Sequence, residues 1–188
     1  MKKKIAAGLL LAAALIGGCG QNKTVSKENS AVQKESREPE KPKCAVGYNF
    51  ELQTVSGKKI RLSDFKGKVV VLQFFGTFCP TCRREIPVLN RLYEEYGGKV
   101  VVIGMNTDYE GNPPPALKAF VKEEGIKYPV VVVDQKTWMN YPGYFTGSDI
   151  IPQTFFIDKN GDVCYYGVGF APGDEAKYKA AIDKLLHG

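Results

Sequence analysis

The chain of 188 residues is 44% hydrophobic and 24% charged, a composition that fits a globular protein and allows one domain with an extension. Its formal charge of +6 includes three consecutive lysines, Lys2 to Lys4, and the +3 left without them does not indicate a nucleic-acid partner. Five cysteines and a single histidine, His187, do not form the pattern of about four ligands that a zinc site needs. We therefore predict neither a metal nor a cofactor, and we expect an oxidising compartment or redox chemistry.

The first residues resemble the signal of a bacterial lipoprotein. After the lysines comes an apolar stretch, residues 5–16, which is too short to span a bilayer unaided. Ile16-Gly17-Gly18-Cys19 follows and resembles a lipobox, although glycine two positions before the cysteine departs from the usual serine or alanine. We expect residues 1–18 to be a signal peptide and Cys19 to be lipidated. A plain secretory signal with a coincidental cysteine is the alternative.

The next segment, residues 19–43, is predicted to be a disordered tether. It is rich in Ser, Glu, Lys and Pro and has almost no large apolar side chain, so it cannot bury a core. A flexible linker of this length extends by about 5–6 Å × √n for n residues, which places the domain a few nanometres from its anchor. The folded domain is expected to span residues 44–188.

Within that domain, apolar periodicity and turn residues predict an alternation of strands and helices. Residues 138–145 are ambiguous between a short helix and a loop, because Pro142-Gly143 interrupts them. The predicted elements are, in chain order, a hairpin over 49–55 and 59–62, a buried strand over 68–75, a helix over 79–96, a strand over 99–106, a helix over 116–124, a strand over 129–134, a hairpin over 154–157 and 163–168, and a helix over 174–186.

The most informative motif is Cys79-Pro80-Thr81-Cys82, which lies where the first buried strand meets a helix. Proline suits the first helical turn, since an N–H is not needed there. The partial positive charge of a helix N-terminus stabilises a thiolate, so Cys79 is predicted to be the attacking sulfur and Cys82 the resolving one. A structural disulfide and half of a zinc site are the alternatives, and the adjacent buried strand favours the redox interpretation.

The order of elements resembles the thioredoxin fold, an α/β fold with a central mixed β-sheet flanked by helices. The extra N-terminal β-hairpin, the insert after the second core strand and the lipid anchor resemble the TlpA/ResA-like membrane-anchored thiol–disulfide oxidoreductases. This resemblance covers residues 44–187. It implies an extracytoplasmic enzyme that exchanges disulfides with partner proteins and is re-reduced by a membrane electron donor of the CcdA type. Apocytochrome c or its maturation factors are the implied substrates.

The resemblance also assigns site residues. Phe78 stands where the family usually has tryptophan, so an aromatic side chain precedes the nucleophile but the indole N–H is lost. Pro80 and Thr81 occupy the dipeptide that tunes the reduction potential. Ile151-Pro152 lies where the family has its cis-proline, whose loop faces the two sulfurs and pairs with the substrate backbone. These five residues are the expected substrate-binding set.

Glu85 is the expected proton-transfer group. Thioredoxins place a buried aspartate beneath the resolving cysteine, and the matching residue here is Gln73, which cannot exchange protons. Glu85 lies three residues after Cys82 and so faces the same side of the helix. TlpA/ResA-like proteins use a glutamate at this position, and partial burial would raise its pKa. A solvated glutamate beside Arg83 and Arg84 is the alternative.

Cys44 and Cys164 are the two remaining cysteines. A second, structural disulfide between them would suit an oxidising compartment. The alternative is a free, buried Cys164, which we favour because nothing in the sequence brings the two residues within disulfide distance.

Two other functions stay open as alternatives. Thr77 and Cys79 faintly resemble a peroxiredoxin-like peroxidase, although peroxiredoxins lack a resolving cysteine three residues on. A non-enzymatic copper-binding lipoprotein of thioredoxin fold would use Cys-x-x-x-Cys and a distant histidine. The spacing here is one residue short, and His187 lies at the chain end.

Overall fold

A computed structural model describes residues 44–188, so the expected signal peptide, the tether and Cys19 lie outside the described residues. A 3₁₀ turn at Leu62–Phe65 and a π-helical turn at Pro142–Thr146 supplement the regular elements. These are, in chain order, β1 Ala45–Val46, β2 Glu51–Gln53, β3 Lys59–Arg61, β4 Val69–Phe75, α1 Pro80–Tyr96, β5 Val100–Asn106, α2 Pro115–Glu123, β6 Val130–Val132, α3 Gln135–Asn140, β7 Gln153–Ile157, β8 Asp162–Val168 and α4 Asp174–His187. Across 44–188, no helix has both the length and the apolar character to cross a membrane.

Six strands form one mixed sheet in the order β1-β8-β7-β4-β5-β6. The central strand β4 runs parallel to β5 and antiparallel to β7, so that Leu72 is paired with Ile103 on one side and Phe155 on the other. The predicted N-terminal hairpin is also present, as β2 and β3. The predicted fold class, a mixed sheet flanked by helices with an extra hairpin, is confirmed.

Every residue of β4 and β5 is buried, because both faces of the sheet are covered. Alternate side chains of β4 enter two different cores. Val69, Val71 and Phe75 pack with α1, α2 and α4, whereas Val70, Leu72 and Phe74 pack with the hairpin and with the segment around α3. Gln73 points to the α1 side and is the one polar residue of the strand.

The segment that the sequence left ambiguous is helical. Asp134 begins α3 by accepting a hydrogen bond from the Thr137 N–H at 2.7 Å, which is the usual function of an aspartate N-cap. Pro142 starts the π-helical turn where its missing N–H costs nothing. Together these turns carry the chain from β6 to the loop that precedes β7.

The N-terminus of the domain corrects the expectation of a free Cys164. Cys44 and Cys164 form a disulfide, with their Cα atoms 4.2 Å apart. The short strand β1 brings them together, because it pairs antiparallel with β8 and sets Ala45 opposite Val163. A strand of two residues has no detectable alternation, which is why the sequence did not predict it.

Replacing Cys44 and Cys164 together by serine should lower the free energy of unfolding by about 3–5 kcal/mol. The bond joins residues 120 apart in sequence, so its loss frees a long loop in the unfolded chain. Equilibrium unfolding in urea without reductant measures the change. The matched control removes Cys79 and Cys82, whose sequence separation is 3, and should cost about 2 kcal/mol or less. An equal or smaller loss for the Cys44 and Cys164 variant would contradict this prediction.

Candidate active site

The two cysteines of the motif lie at the carboxyl end of β4, as predicted, and form a disulfide. Cys79 is the N-cap of α1, and its Sγ accepts a hydrogen bond from the Cys82 N–H at 3.1 Å. Cys79 is half-buried, whereas Cys82 is fully buried. A sulfur that is reachable and receives an N–H at a helix N-terminus is suited to be a thiolate nucleophile. A buried sulfur one turn further on is suited to resolve the bond.

The loop before Cys79 is held by an acid that the sequence analysis missed. Asp108 Oδ2 accepts hydrogen bonds from the Thr77 N–H at 2.5 Å and from Asn106 Nδ2 at 3.1 Å. Gly76 leaves room for this carboxylate, because a Cβ at residue 76 would lie 2.7 Å from Asp108 Oδ1. The only signal in the sequence is that Asp108 follows the strand beside β4.

Arg83, in the first turn of α1, also fixes the loop before Cys79. Arg83 Nε and Nη2 donate to the Thr77 carbonyl oxygen at 3.1 and 3.0 Å. The same guanidinium pairs with Glu124 and lies over the Phe120 ring, 4.9 Å from its centroid. Both backbone groups of Thr77 are therefore fixed, which sets the position of Cys79 two residues later.

The predicted cis-proline loop lies beside the sulfurs. The Ile151–Pro152 bond is cis, and the Ile151 carbonyl oxygen is 3.7 Å from Cys79 Sγ. Within residues 44–188, no hydrogen bond engages the Ile151 N–H. The backbone of this residue is thus placed next to the reactive sulfur with its donor group unpaired.

A second residue that the sequence did not reveal shapes this loop. Gln153 is fully buried at the start of β7. Its Nε2 donates to the carbonyl oxygens of Ser148 at 2.6 Å and Ile150 at 2.9 Å, and its Oε1 accepts from the Thr146 hydroxyl at 2.9 Å. One amide therefore ties the loop ahead of the cis-proline to the sheet.

Glu85 has no solvent exposure, so the alternative of a solvated helix glutamate is wrong. Its Oε1 accepts hydrogen bonds from the hydroxyls of Thr154 and Tyr178, each at 2.6 Å, and its Oε2 accepts from Gln73 Nε2 at 2.8 Å. Gln73 Nε2 also lies 3.5 Å from the Cys82 carbonyl oxygen. The carboxyl group is thus linked by one amide to the turn that carries the resolving cysteine.

Burial raises the pKa of Glu85, because the low dielectric of the core opposes its charged form. The three hydrogen bonds act in the opposite direction but do not cancel the effect of burial. The predicted direction of this pKa is confirmed. Tyr128 completes the network by donating to Gln73 Oε1 at 3.1 Å, and burial followed by the charge of Glu85 raises the pKa of this phenol.

The surface around Cys79 is apolar and open. Phe78, directly before Cys79, is 78% exposed, and Ile150, in the loop that faces the sulfur, is 64% exposed. Pro80 is exposed at the start of α1, and the Thr81 hydroxyl accepts a hydrogen bond from Arg84 at 3.0 Å. Of the predicted substrate-binding residues, Phe78 and Pro80 are exposed, Thr81 and Ile151 are half-buried, and Pro152 is buried.

The remaining candidate for metal chemistry lies elsewhere. In the described part of the chain, the donors close enough to share an ion are Cys44, Asp158 and Cys164, and the two sulfurs are bonded to each other. His187 is exposed at the end of α4 and is not part of that group.

Comparison with known proteins identifies the family. A family model described as Redoxin matches residues 41–182. The chain belongs to the Redoxin family. It is 38% identical over 128 residues to the thiol-disulfide oxidoreductase ResA of Geobacillus kaustophilus, an alignment that covers 66% of this chain and 70% of that protein.

Solved structures agree with this assignment. A thiol:disulfide interchange protein of the thioredoxin family from Chlorobium tepidum superposes with a TM-score of 0.67 at 28% identity, covering 76% of this chain and 97% of that one. The exposed lipoprotein thioredoxin Etrx1 of Streptococcus pneumoniae superposes with a TM-score of 0.57 at 30% identity, covering 70% and 97%. The Redoxin-family chain described here is a TlpA/ResA-like thiol–disulfide oxidoreductase with a thioredoxin fold, as its sequence predicted.

Proposed function

We propose that this oxidoreductase is a membrane-anchored, extracytoplasmic reductase of protein disulfides, with Cys79-Pro80-Thr81-Cys82 as its redox centre. The observation that carries the proposal is that the two sulfurs at the start of α1 differ in burial and in hydrogen bonding. Cys79 is half-buried and receives the Cys82 N–H at 3.1 Å, whereas Cys82 is fully buried. One sulfur can therefore meet a partner while the other is reserved for the second step.

In the first step, the reduced enzyme presents the Cys79 thiolate to a disulfide in a partner. The thiolate attacks one sulfur, the partner's S–S bond breaks, and the partner's other sulfur leaves as a thiolate that takes a proton. The exposed side chains of Phe78 and Ile150 receive the partner segment, together with the Ile151 N–H, which has no hydrogen bond within residues 44–188. An extended segment can pair with that backbone without needing a particular sequence.

In the second step, the Cys82 thiol must lose its proton before it can attack the mixed disulfide. Glu85 is the acid–base group within the core next to this turn, and it takes up that proton. Burial raises the pKa of Glu85 towards that of a thiol, so the transfer of a proton from Cys82 to Glu85 costs less free energy. The Cys82 thiolate then attacks Cys79 Sγ, the mixed disulfide breaks as the Cys79–Cys82 bond forms, and the partner's second sulfur leaves as a thiolate that takes the proton from Glu85. The partner has gained two electrons from the enzyme and two protons, one from the solvent in the first step and one through Glu85.

The cycle closes when a membrane dithiol carrier of the CcdA type reduces Cys79–Cys82 again. The resemblance to the TlpA/ResA-like proteins implies apocytochrome c, or the factors that mature it, as the disulfide partner, and we propose it as such. A peroxidase cycle is less well supported. The Cys79–Cys82 pair contains both the attacking and the resolving sulfur of dithiol–disulfide exchange, and peroxiredoxins lack a resolving cysteine at this spacing.

The anchor is proposed from the sequence. The lipobox-like Ile16-Gly17-Gly18-Cys19 precedes a polar segment that ends where the domain begins. Similarity to a structure named as an exposed lipoprotein thioredoxin supports the same arrangement. Lipidation of Cys19 would hold the active site outside the cytoplasm, within reach of a membrane electron donor.

The roles of the two cysteines predict opposite outcomes for two variants. Cys82→Ser should accumulate mixed disulfides with partner proteins or disulfide peptides, since the resolving sulfur is gone, and Cys79→Ser should form none and lose all reductase activity. Non-reducing electrophoresis and mass spectrometry measure both. The control is the variant with Cys44→Ser and Cys164→Ser, which should keep reductase activity. Faster alkylation of Cys82 than of Cys79 in the reduced protein would overturn the assignment.

Glu85→Gln should slow the resolution of the mixed disulfide, because an amide cannot accept the Cys82 proton. Since the pKa of Glu85 is raised, the resolution rate of the parent enzyme should increase as the pH rises through that pKa, when the carboxylate becomes able to accept a proton. The variant should lack this increase. Stopped-flow measurement from pH 5 to 9 tests it.

The matched control is Glu123→Gln, which changes an exposed glutamate on α2 and should leave the pH profile unaltered. The Glu85 variant should also remain folded, since rotation of the Gln73 amide can satisfy the new NH₂ group. Superimposable pH profiles for the parent and Glu85→Gln enzymes would remove Glu85 from the mechanism.

Cys19→Ala should release the protein from membranes while the domain keeps its activity, because the acyl chains would be lost and the domain does not include residue 19. Fractionation of cells and a disulfide-reduction assay on the soluble fraction test this. A variant that stays in the membrane fraction would point to retention of the uncleaved apolar segment instead.

A further inference from the structure

The carboxyl end of β5 holds the chain beyond the carboxyl end of β4. The last residue pair of these two strands is Phe75 with Asn106. Beyond that pair, Asp108 Oδ2 accepts a hydrogen bond from the Thr77 N–H at 2.5 Å. The loop that leads from β4 to Cys79 is therefore shaped by the neighbouring strand as well as by its own.

The Asp108 carboxylate is itself held in place by β5. Its Oδ2 also accepts a hydrogen bond from Asn106 Nδ2 at 3.1 Å, and the Asp108 N–H donates to Asn106 Oδ1 at 3.2 Å. Asn106 is fully buried, and a buried amide whose hydrogen bonds are made is a rigid support. Asp108 therefore presents a fixed, charged acceptor to the Thr77 N–H, which is the stronger kind of hydrogen bond.

Gly76 makes room for this carboxylate. A Cβ at residue 76 would lie 2.7 Å from Asp108 Oδ1 and 3.0 Å from Ile151 Cδ1. Gly76 does not have a positive φ, so its backbone conformation is open to other residues. The close approach of the Asp108 carboxylate therefore explains why glycine stands at this position.

The contacts of Thr77 matter most when the enzyme is reduced. In the structure the Cys79–Cys82 bond closes the first turn of α1, and reduction removes this covalent link. The position of Cys79 then depends on the Cys82 N–H and on the backbone that precedes the sulfur. Thr77 is held in that backbone at both of its groups, by Asp108 and by Arg83. Since attack requires an aligned sulfur, and a misplacement of about 1 Å can cost about 100-fold in rate, this backbone affects the chemistry.

We infer that Asp108 is a positioning residue for the attack of Cys79 on the partner's disulfide, and that it acts through the Thr77 N–H. The inference rests on the proposed function and adds a residue to its first step. What Asp108 contributes is a hydrogen-bond acceptor at a fixed place, not a proton. An uncharged acceptor in the same place should therefore preserve the rate of attack, whereas a side chain without an acceptor should not.

The test measures the attack step alone, in the Cys82→Ser background, where the mixed disulfide accumulates. Quenched flow with one disulfide peptide across a pH series gives the second-order rate constant, whose plateau at high pH belongs to the fully ionised Cys79. This plateau separates alignment of the sulfur from any change in its pKa. Asp108→Ala should lower the plateau about 10- to 100-fold. Asp108→Asn should stay within about threefold of the parent, because its amide oxygen can accept the Thr77 N–H.

Gly76→Ala is a second variant, which keeps Asp108 but places a methyl group against its carboxylate. It should also lower the plateau, because the carboxylate must move away from the Thr77 N–H. In the Asp108→Ala background the methyl group has room, so the further loss should be less than about twofold.

The matched control is Asp158→Ala. Asp158 is half-buried like Asp108 and also accepts backbone hydrogen bonds, from the N–H groups of Asn160 and Asp162 at 2.9 Å each. It follows the end of β7 that is opposite the cis-proline loop. Asp158→Ala should lower the midpoint of urea unfolding but keep the plateau rate of attack.

The outcomes separate this inference from the proposed function. The inference is overturned if Asp108→Ala keeps the parent plateau, if Asp108→Asn loses as much as Asp108→Ala, or if the losses from Gly76→Ala and Asp108→Ala multiply. An equal loss in Asp158→Ala would also overturn it, since lower stability alone would then slow the attack. Should Asp108→Ala not fold, an unchanged plateau in Gly76→Ala overturns the inference. A parent protein, with Cys82→Ser alone, that forms no mixed disulfide would count against the proposed function itself.

Discussion

The constraint on which the active site depends is the burial of one carboxyl group. Glu85 has no exposed surface, and an acid in that environment is costly unless its oxygens are hydrogen-bonded. Its three donors come from three different elements, Gln73 on β4, Thr154 on β7 and Tyr178 on α4. The carboxyl group therefore ties the active-site helix α1 to the centre of the sheet and to the C-terminal helix. Burial also raises the pKa of Glu85, which suits this carboxyl group to proton transfer.

The backbone around the sulfurs is fixed by a separate set of hydrogen bonds. Asp108 fixes the amide of Thr77, Arg83 fixes its carbonyl oxygen, and Gln153 fixes the loop that presents Ile151. The Cys44–Cys164 bond is separate from this arrangement, since it joins β1 to β8 at the far edge of the sheet. Two disulfides in one domain thus have different places in the fold, one closing its N-terminal edge and one at the start of a helix where a partner can reach it.

Short-range patterns were enough to predict where the central residues of the candidate site lie. The buried strand followed by Cys-x-x-Cys located Cys79 and Cys82, and the spacing of Cys82 and Glu85 placed the acid on the correct side of α1. The resemblance to a known fold identified the cis bond at Pro152. What could not be predicted depends on long-range contacts: Tyr178 reaches Glu85 from 93 residues away, and Asp108 reaches Thr77 from 31 residues away. The Cys44–Cys164 pairing depends on a strand too short to leave a pattern.

The reduction potential of the Cys79–Cys82 pair tests the central claim, that this enzyme reduces its partners, most directly. A strong oxidant of this fold requires a highly stabilised thiolate, whereas a buried acid beside the resolving cysteine opposes negative charge on the sulfurs. Equilibration with dithiol–disulfide buffers at pH 7, followed by alkylation and mass spectrometry of the two cysteines, gives the value. The account predicts a potential close to that of thioredoxin, about −270 mV. A potential near that of a strong periplasmic oxidant, about −120 mV, would contradict it.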